Sequence, residues 1–330
     1  MQTVLVTGGS GFLGGWCVVE LLRKGYAVRT TVRDLARETD VRAAVATQVD
    51  AGERLSVCQA DLGDDAGWQG AVAGCEYVLH VASPFPPKQP KDPDELIVPA
   101  REGTLRVLGA ALDAGAERVV VTSSVAAING AGGARALTEE DWSDPDSTKL
   151  TPYARSKTIA ELAAWELARE RGAEAKLVTV NPGAIIGPAL HDDHSYSLDA
   201  VKRLLEGTPG IPRIGFSFVD VRDVAALEIL AMTAPGAAGK RLIATASFLW
   251  LGEVAAVLRE QLGERAAKVP TRKVPNLVVR AMGLFDPGVR SVVGQLGKRV
   301  EYSNERATGL GWSPRPLDET IVECARSLTA

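Results

Sequence analysis

"TGGSGFLGGWC" (Thr7–Cys17) carries five glycines in eleven residues, placed between a short apolar run and a helical pattern. Glycine costs backbone entropy in any regular element, so a cluster of this density needs a reason. A tight turn with a helix cap is one. The other is an approach to the backbone closer than a Cβ permits. Gly8, Gly11 and Gly14 recur at intervals of three, after "TVLVT" (residues 3–7) and at the opening of "FLGGWCVVELLRKG" (residues 12–25), whose Gly25 reads as a C-cap. A helix N-terminus offers unpaired N–H groups and the positive end of a dipole, which together suit an anion. In this reading Gly8 and Gly11 permit the turn and admit a pyrophosphate, Gly14 lets the helix lie on the strand, and Phe12 and Leu13 open that helix beside the ligand. A bare G-x-x-G-x-x-G is a weak signal; the strand before it and the helix after it strengthen it.

Outward from this turn the same unit repeats. "YAVRTTV" (26–32), "RLSVCQA" (54–60), "YVLHVA" (77–82), "RVVVTSS" (118–124) and "KLVTVNP" (176–182) are continuous Val/Leu-rich runs of the kind buried on both faces of a parallel sheet. Strands alternating with helical patterns predict a doubly wound (Rossmann) α/β fold, whose ligands sit at the carboxyl ends of the strands. The Pro-rich "SPFPPKQPKDP" (83–93) is a loop at one such end. Past residue 182 the rhythm weakens. We expect a dinucleotide-binding domain over 1–182 and a smaller substrate lobe over 183–330, with 216–245 returning to the first body through the helix "VRDVAALEILAM" (221–232).

The chain of 330 residues is 46% hydrophobic with a net charge of -4, so neither nucleic acid nor an anionic membrane is an expected partner. Cys17, Cys58, Cys75 and Cys324 are scattered with no paired spacing, which fits a reducing, cytoplasmic setting. No apolar run reaches the length of a membrane span, and no signal peptide is read at the N-terminus.

Cofactor choice is expected at the end of the second strand, where an acidic residue suits the 2′-hydroxyl of NAD and an arginine the 2′-phosphate of NADP. "TTVRD" places Arg33 there, with Asp34 one residue later, so NADP is favoured; Arg37 is a second phosphate candidate or an ordinary solvated arginine. In "QADL", Asp61 suits the adenine amino group with Leu62 against the ring, and it equally suits an N-cap of the next helix. "TPYARSKTIAELAAWELARE" (151–170) starts a helix, with Ile159, Leu162, Ala163 and Leu167 expected on its buried face. Tyr153 and Lys157 lie four apart and so share a side. An ammonium beside a phenol lowers the phenol pKa and makes it a usable acid or base near neutrality. Ser124, at the end of the fifth strand, faces the same crevice in this reading; the bland alternatives are a surface pair and a capping serine.

Gly8/Gly11/Gly14, Asp61-Leu62, "TSS" (122–124), "YARSK" and "NPGAIIGP" stand in the order found in the extended short-chain dehydrogenase/reductases. "GYAVRTTVRD", "HVASP", "FVDVRDVA" and "LGWSPRPLDE" resemble the branch of dihydroflavonol reductases, cinnamoyl-CoA reductases and bacterial aldehyde and ketone reductases, nearly end to end. The resemblance implies a proton donor in Tyr153, a lysine (Lys157) that lowers its pKa and holds the nicotinamide ribose, and a substrate-binding Ser124. It implies that Arg33 meets the 2′-phosphate, that Val81, Ala82 and Ser83 line the ribose and nicotinamide, that Pro182, Gly183 and Ile185 border the nicotinamide, and that Ser197 touches the pyrophosphate. Asn129 falls where flavonoid reductases have a substrate-contacting asparagine. The glycine-rich "NGAGGAR" and Ser217 depart from that pattern and argue against a flavonoid; the lack of a basic cluster argues against a CoA thioester. The expected reaction is NADPH-dependent reduction of a hydrophobic or aromatic aldehyde or ketone, reversible with the alcohol. Its expected walls are Pro84, Phe85, Ile186, Leu190, Phe216 and Phe218, the last two serving equally well as core.

Two other classes share the motifs. A sugar-nucleotide epimerase or dehydratase uses the same Ser/Tyr/Lys set but pairs it with an acidic residue in place of Arg33, and dehydratases have an Asp-Glu pair where this chain has Val125-Ala126. A non-catalytic NADP sensor usually lacks the Tyr/Lys pair. "HDDHS" (191–195) fits no zinc spacing well, so no metal is expected, and His80 inside an apolar strand reads as core. Fold analogy leaves monomer and homodimer both open.

Overall fold

A computed structural model describes residues 1–84, 90, 92–128, 135–191, 196–285, 289 and 293–329, with Tyr196 described by its backbone alone. The main sheet is formed by β1 (Thr3–Val6), β2 (Ala27–Val32), β3 (Leu55–Gln59), β4 (Tyr77–His80), β5 (Arg118–Thr122), β6 (Leu177–Pro182) and β10 (Arg241–Ala244). Their order is β10-β6-β5-β4-β1-β2-β3 and every pairing is parallel, the doubly wound Rossmann arrangement.

The inner strands β1, β4, β5 and β6 are buried on both faces, as their unbroken apolar runs require, whereas the edge strand β3 is mostly half-buried to exposed. Val4 and Val6 of β1, Leu79 of β4 and Val120 of β5 join one core; Leu5, Val78, Val119 and Val121 join the other. The first layer holds α1 (Phe12–Arg23), which packs on α2 (Glu38–Ala46) and on α7 (Val221–Thr233). The second holds α3 (Trp68–Val72), α4 (Asp94–Asp113) and α5 (Pro152–Glu170), with α4 against α5 and α3.

Directly after β6, Gly183 carries the chain out of the main sheet into a second one, β11-β9-β7, formed by β7 (Ala184–Ile186), β9 (Gly215–Asp220) and β11 (Ser247–Trp250). A third pairing joins β8 (Ile211–Pro212) to β12 (Lys273–Val274). Around these lie α6 (Tyr196–Glu206), α8 (Leu251–Leu262), α9 (Asn276–Phe285), α10 (Glu305–Gly309) and α11 (Leu317–Leu328). Residues 216–220 belong to the second sheet; α7 and β10 carry the chain back to the main one. Among the described residues, no helix is long and apolar enough to cross a membrane.

Candidate active site

The glycine turn runs from the end of β1 into α1. Gly8 takes φ +74°, a left-handed conformation that only glycine adopts without strain, and Gly11 N–H closes the turn on the Gly8 carbonyl at 2.9 Å. A Cβ on Gly14 would stand 2.2 Å from that same carbonyl oxygen, so the helix lies directly on the turn. Gly11 is the N-cap, and no acidic residue occupies the first turn of α1. Among the described residues nothing outside the helix accepts from the N–H groups that open it, at Phe12, Leu13 and Gly14, while the Phe12 and Leu13 side chains are buried in the core.

The end of β4 is fastened beside this turn. Ala82 N–H donates to Thr7 Oγ1 at 2.9 Å, and the same hydroxyl lies 2.9 Å from His80 Nδ1. Val81, Ala82, Ser83 and Pro84 are half-buried. His80 is a core residue: burial, and then the Lys157 cation, push its pKa down to about 3, so the ring is neutral. Arg33 stands exposed one residue past β2, and among the described residues nothing bonds its guanidinium. Asp34 turns onto its own backbone, accepting from Ala36 N–H at 2.9 Å, and Arg37 pairs with Asp40 at 3.0 Å. Asp61 accepts from Gly63 N–H at 2.8 Å and thus caps a tight turn; the N-cap of α3 is Gly67, which corrects the helix-cap alternative. Leu62 packs on Gly103 of α4.

The chemistry-bearing residues gather at the ends of β5 and β6. Thr151 caps α5 by accepting from Ala154 N–H at 3.2 Å, and Pro152 follows in its first turn, so local sequence sets where the helix starts. This puts Tyr153 in the first turn and Lys157 one turn on. Ser124 is 8% exposed, accepts from Ala126 N–H at 3.1 Å, and is hydrogen-bonded to the Tyr153 phenol. Burial raises the Tyr153 pKa, and the Ser124 bond only partly offsets it. Here the structure differs from the expectation of a lysine-lowered phenol. Lys157 Nζ donates to the Thr122 carbonyl at 3.2 Å, and burial lowers its own pKa to about 8 against the opposing pull of Glu161 and Glu228.

On α5 Ala163 is buried and Leu167 packs half-buried on the second core, as expected, but Leu162 turns outward. Lys157, Ala160, Glu161, Ala164 and Ala168 are buried, whereas Leu162 is exposed. The reason is the polar cluster below Ser124. Glu161 accepts from Thr179 Oγ1 and Asn181 Nδ2, both at 2.8 Å, and from Ser123 Oγ, and it pairs with Arg241 of β10 at 2.7 Å. Asn181 Nδ2 also donates to the Ser124 carbonyl at 3.2 Å, which ties the cluster to the serine's backbone. Sequence reasoning passed over Glu161, Arg241 and Glu228. A glutamate in a helix reads as surface, and only the "NPG" context of Asn181 marked this region.

Pro182 is buried, and Gly183 and Ile185 are half-buried at the exit of β6, beside the nicotinamide side expected there. A Cβ on Gly183 would lie 2.1 Å from the Ser217 carbonyl oxygen. Leu190 packs near Gly15 of α1, and Ser197 lies half-buried in the first turn of α6. One expected substrate wall is corrected: Ile186 (0% exposed) is a core side chain, and of the two readings of Phe218 its burial (1%) bears out the core one. Phe216 is half-buried, edge-on to Phe218 at 5.8 Å. Ser217 turns away, donating to the Val300 carbonyl at 3.0 Å. Phe85, Asn129 and residues 192–195 of "HDDHS" lie outside the described residues; among the described ones no cluster could hold a metal ion.

The family model described as "NAD dependent epimerase/dehydratase family" matches residues 4–243. Cinnamoyl-CoA reductase 1 of Arabidopsis thaliana is 38% identical over 336 residues, covering 99% of this chain and 89% of that protein. Dihydroflavonol 4-reductase of Zea mays is 36% identical, covering 79% of this chain and 75% of its own length. The crystal structure of yeast methylglyoxal/isovaleraldehyde reductase Gre2 complexed with NADPH superposes with a TM-score of 0.82 at 27% identity, over 99% of this chain and 98% of that one. This chain belongs to the NAD dependent epimerase/dehydratase family, the extended short-chain dehydrogenase/reductases, and to their dihydroflavonol reductase-like branch.

Proposed function

We propose that this chain reduces a hydrophobic or aromatic aldehyde or ketone with NADPH, reversibly with the alcohol, through Ser124, Tyr153 and Lys157. That it is an oxidoreductase of carbonyl and alcohol groups using NADPH follows from its relatives. The observation that carries the finer reading is the Ser124–Tyr153 hydrogen bond, with Lys157 one helical turn away and the glycine turn at the end of β1, separated from β5 by β4 alone.

The chain fits the cofactor. Its glycine turn is a cradle that a Cβ would fill, its first helical turn carries no carboxylate, and Arg33 is uncommitted where a 2′-phosphate would lie. Gly8, Gly11 and the N–H groups of Phe12, Leu13 and Gly14 would hold the pyrophosphate, with Asp61 and Leu62 at the adenine and Val81–Ser83, Pro182, Gly183 and Ile185 at the nicotinamide side. Bound there, NADPH supplies the hydride. Ser124 and Tyr153 donate hydrogen bonds to the carbonyl oxygen, a donor pair set before substrate arrives. Tyr153 then gives its proton to the forming alkoxide; a buried phenol, whose pKa is raised, stands in the protonated form that reduction needs. The Lys157 cation stabilises the phenolate left behind, and this support fades as pH climbs through about 8.

Ser217, spent on the Val300 carbonyl, offers no polar handle, while Pro84, Leu190 and Phe216 remain half-buried and apolar. That combination favours an apolar carbonyl compound over a polyhydroxylated one. Loss of the reduced-nicotinamide absorbance against a panel of aromatic and aliphatic aldehydes, ketones and one dihydroflavonol tests the reading. Turnover is expected with NADPH in preference to NADH, best with aromatic carbonyls. No turnover, together with a nicotinamide that survives gel filtration, would point to an epimerase instead.

A further inference from the structure

Along β5, side chains alternate between the two layers, so Thr122 faces α7 while Ser123 faces α5. Thr122 Oγ1 donates to Glu228 Oε1 at 2.7 Å, and the carbonyl of the same residue accepts from Lys157 Nζ at 3.2 Å. Glu228, on α7, is 0% exposed, and its second oxygen, Oε2, is buried with no hydrogen-bond partner among the described residues. A buried carboxyl with one satisfied oxygen is costly unless a nearby cation balances its charged form. Glu161, the other carboxylate near the lysine, is already matched by Arg241. Among the described residues Glu228 has no ion pair; the cation it feels is Lys157, with Thr122 standing between them.

We propose that Glu228 is a positioning residue for the active site: from the far layer, through Thr122, its carboxylate holds Lys157 in the cationic form. This rests on the reading of Lys157 as the cation that supports Tyr153. Burial raises the Glu228 pKa to about 8, against the opposing effects of Thr122 and Lys157, so the two groups titrate in the same range, the Lys157 value of about 8 already including the pull of Glu228. Without the Glu228 carboxylate the lysine would lose its proton at lower pH. Of the other groups around the pair, Glu161 also favours the lysine cation, and more strongly than Glu228 does, although Arg241 pairs with it. His80 on β4 is neutral. The Cys17 thiol on α1 is pushed up by burial, then by Glu228 and Glu20, and so stays uncharged. Arg118, at the far end of β5, donates to the carbonyls of Ala231 and Ala234.

The test is a pH titration of the Lys157 Cε chemical shift in ligand-free protein labelled at lysine, the signal being assigned by its loss in Lys157→Met. In Glu228→Gln, which keeps an acceptor for Thr122 and removes the charge, the Lys157 midpoint should fall by about one pH unit. Thr122→Val leaves the carbonyl to the lysine but takes away the bond that favours ionised Glu228, so it should move the midpoint the same way and serves should Glu228→Gln not fold. A purely structural role would shift the unfolding temperature and leave the midpoint in place. An unchanged midpoint in a folded variant overturns the proposal. The titration needs no turnover, so a shifted midpoint with no carbonyl reduction would count against the reductase reading alone.

Discussion

Past the end of β2 the chain exposes Arg33, and the carboxylate that follows it, Asp34, is turned onto the amide of Ala36. One guanidinium and one withdrawn acid thus set the charge where the adenosine ribose of a dinucleotide would lie. A hydrogen bond to a charged group contributes about 1.5–3 kcal/mol, so Arg33→Ser should lower kcat/KM for NADPH by roughly 10–100-fold. The value for NADH should hardly change, and steady-state kinetics with both cofactors checks this; an equal loss with both would remove Arg33 from the phosphate. At this scale the sequence was most legible where spacing carries the chemistry, as at Tyr153 and Lys157, four apart on a helix whose cap and proline are local. It was least legible at Glu161 and Glu228. A carboxylate in an amphipathic helix normally faces water, and their burial comes from partners on β6, β10 and β5 that no local pattern announces.

Among the elements, the junction of β1 and α1 is the most constrained. With a Cβ at Gly14 only 2.2 Å from the Gly8 carbonyl oxygen, backbone has to move, since no flexible side chain is there to yield. Gly14→Ala should therefore lift α1 from the turn and weaken NADPH binding at least about tenfold, a loss of about 1.4 kcal/mol. Titration of tryptophan fluorescence with NADPH measures it; binding as tight as in the parent would mean that the helix N-terminus is not the anion site. The six apolar runs read as strands are β1 to β6; in the inner strands two-sided burial leaves an unbroken Val/Leu signature, and only the edge strand β3 is partly exposed among them. β10 has only four residues and begins with an arginine, so it does not stand out by composition. In α5 Leu162 points outward: what packs beside Leu167 is alanine, small enough for α4 to approach, with Lys157 and Glu161 placed inside.

Across the whole molecule, the two layers meet at the catalytic end of the sheet. From the α5 side come Tyr153, Lys157 and Glu161; from the α7 side comes Glu228; Thr122, Ser123 and Ser124 at the end of β5 touch both. The second sheet begins at Gly183, directly off β6, so the substrate side is attached to the same strand that supplies Asn181. The Rossmann body was readable because its rhythm is repetitive. The lobe that follows is built of short strands from distant segments, and this is why the sequence let Ile186 pass for a pocket wall and left Phe218 open between wall and core, where both are buried. The central claim is that this arrangement makes Tyr153 the acid of carbonyl reduction. Its most direct test is kcat of Tyr153→Phe with NADPH and the best carbonyl of the panel, with NADPH affinity measured alongside. The account predicts a loss of about 100-fold or more in kcat, the range of a positioned general acid, with NADPH still bound. Turnover within a few-fold of the parent would contradict it.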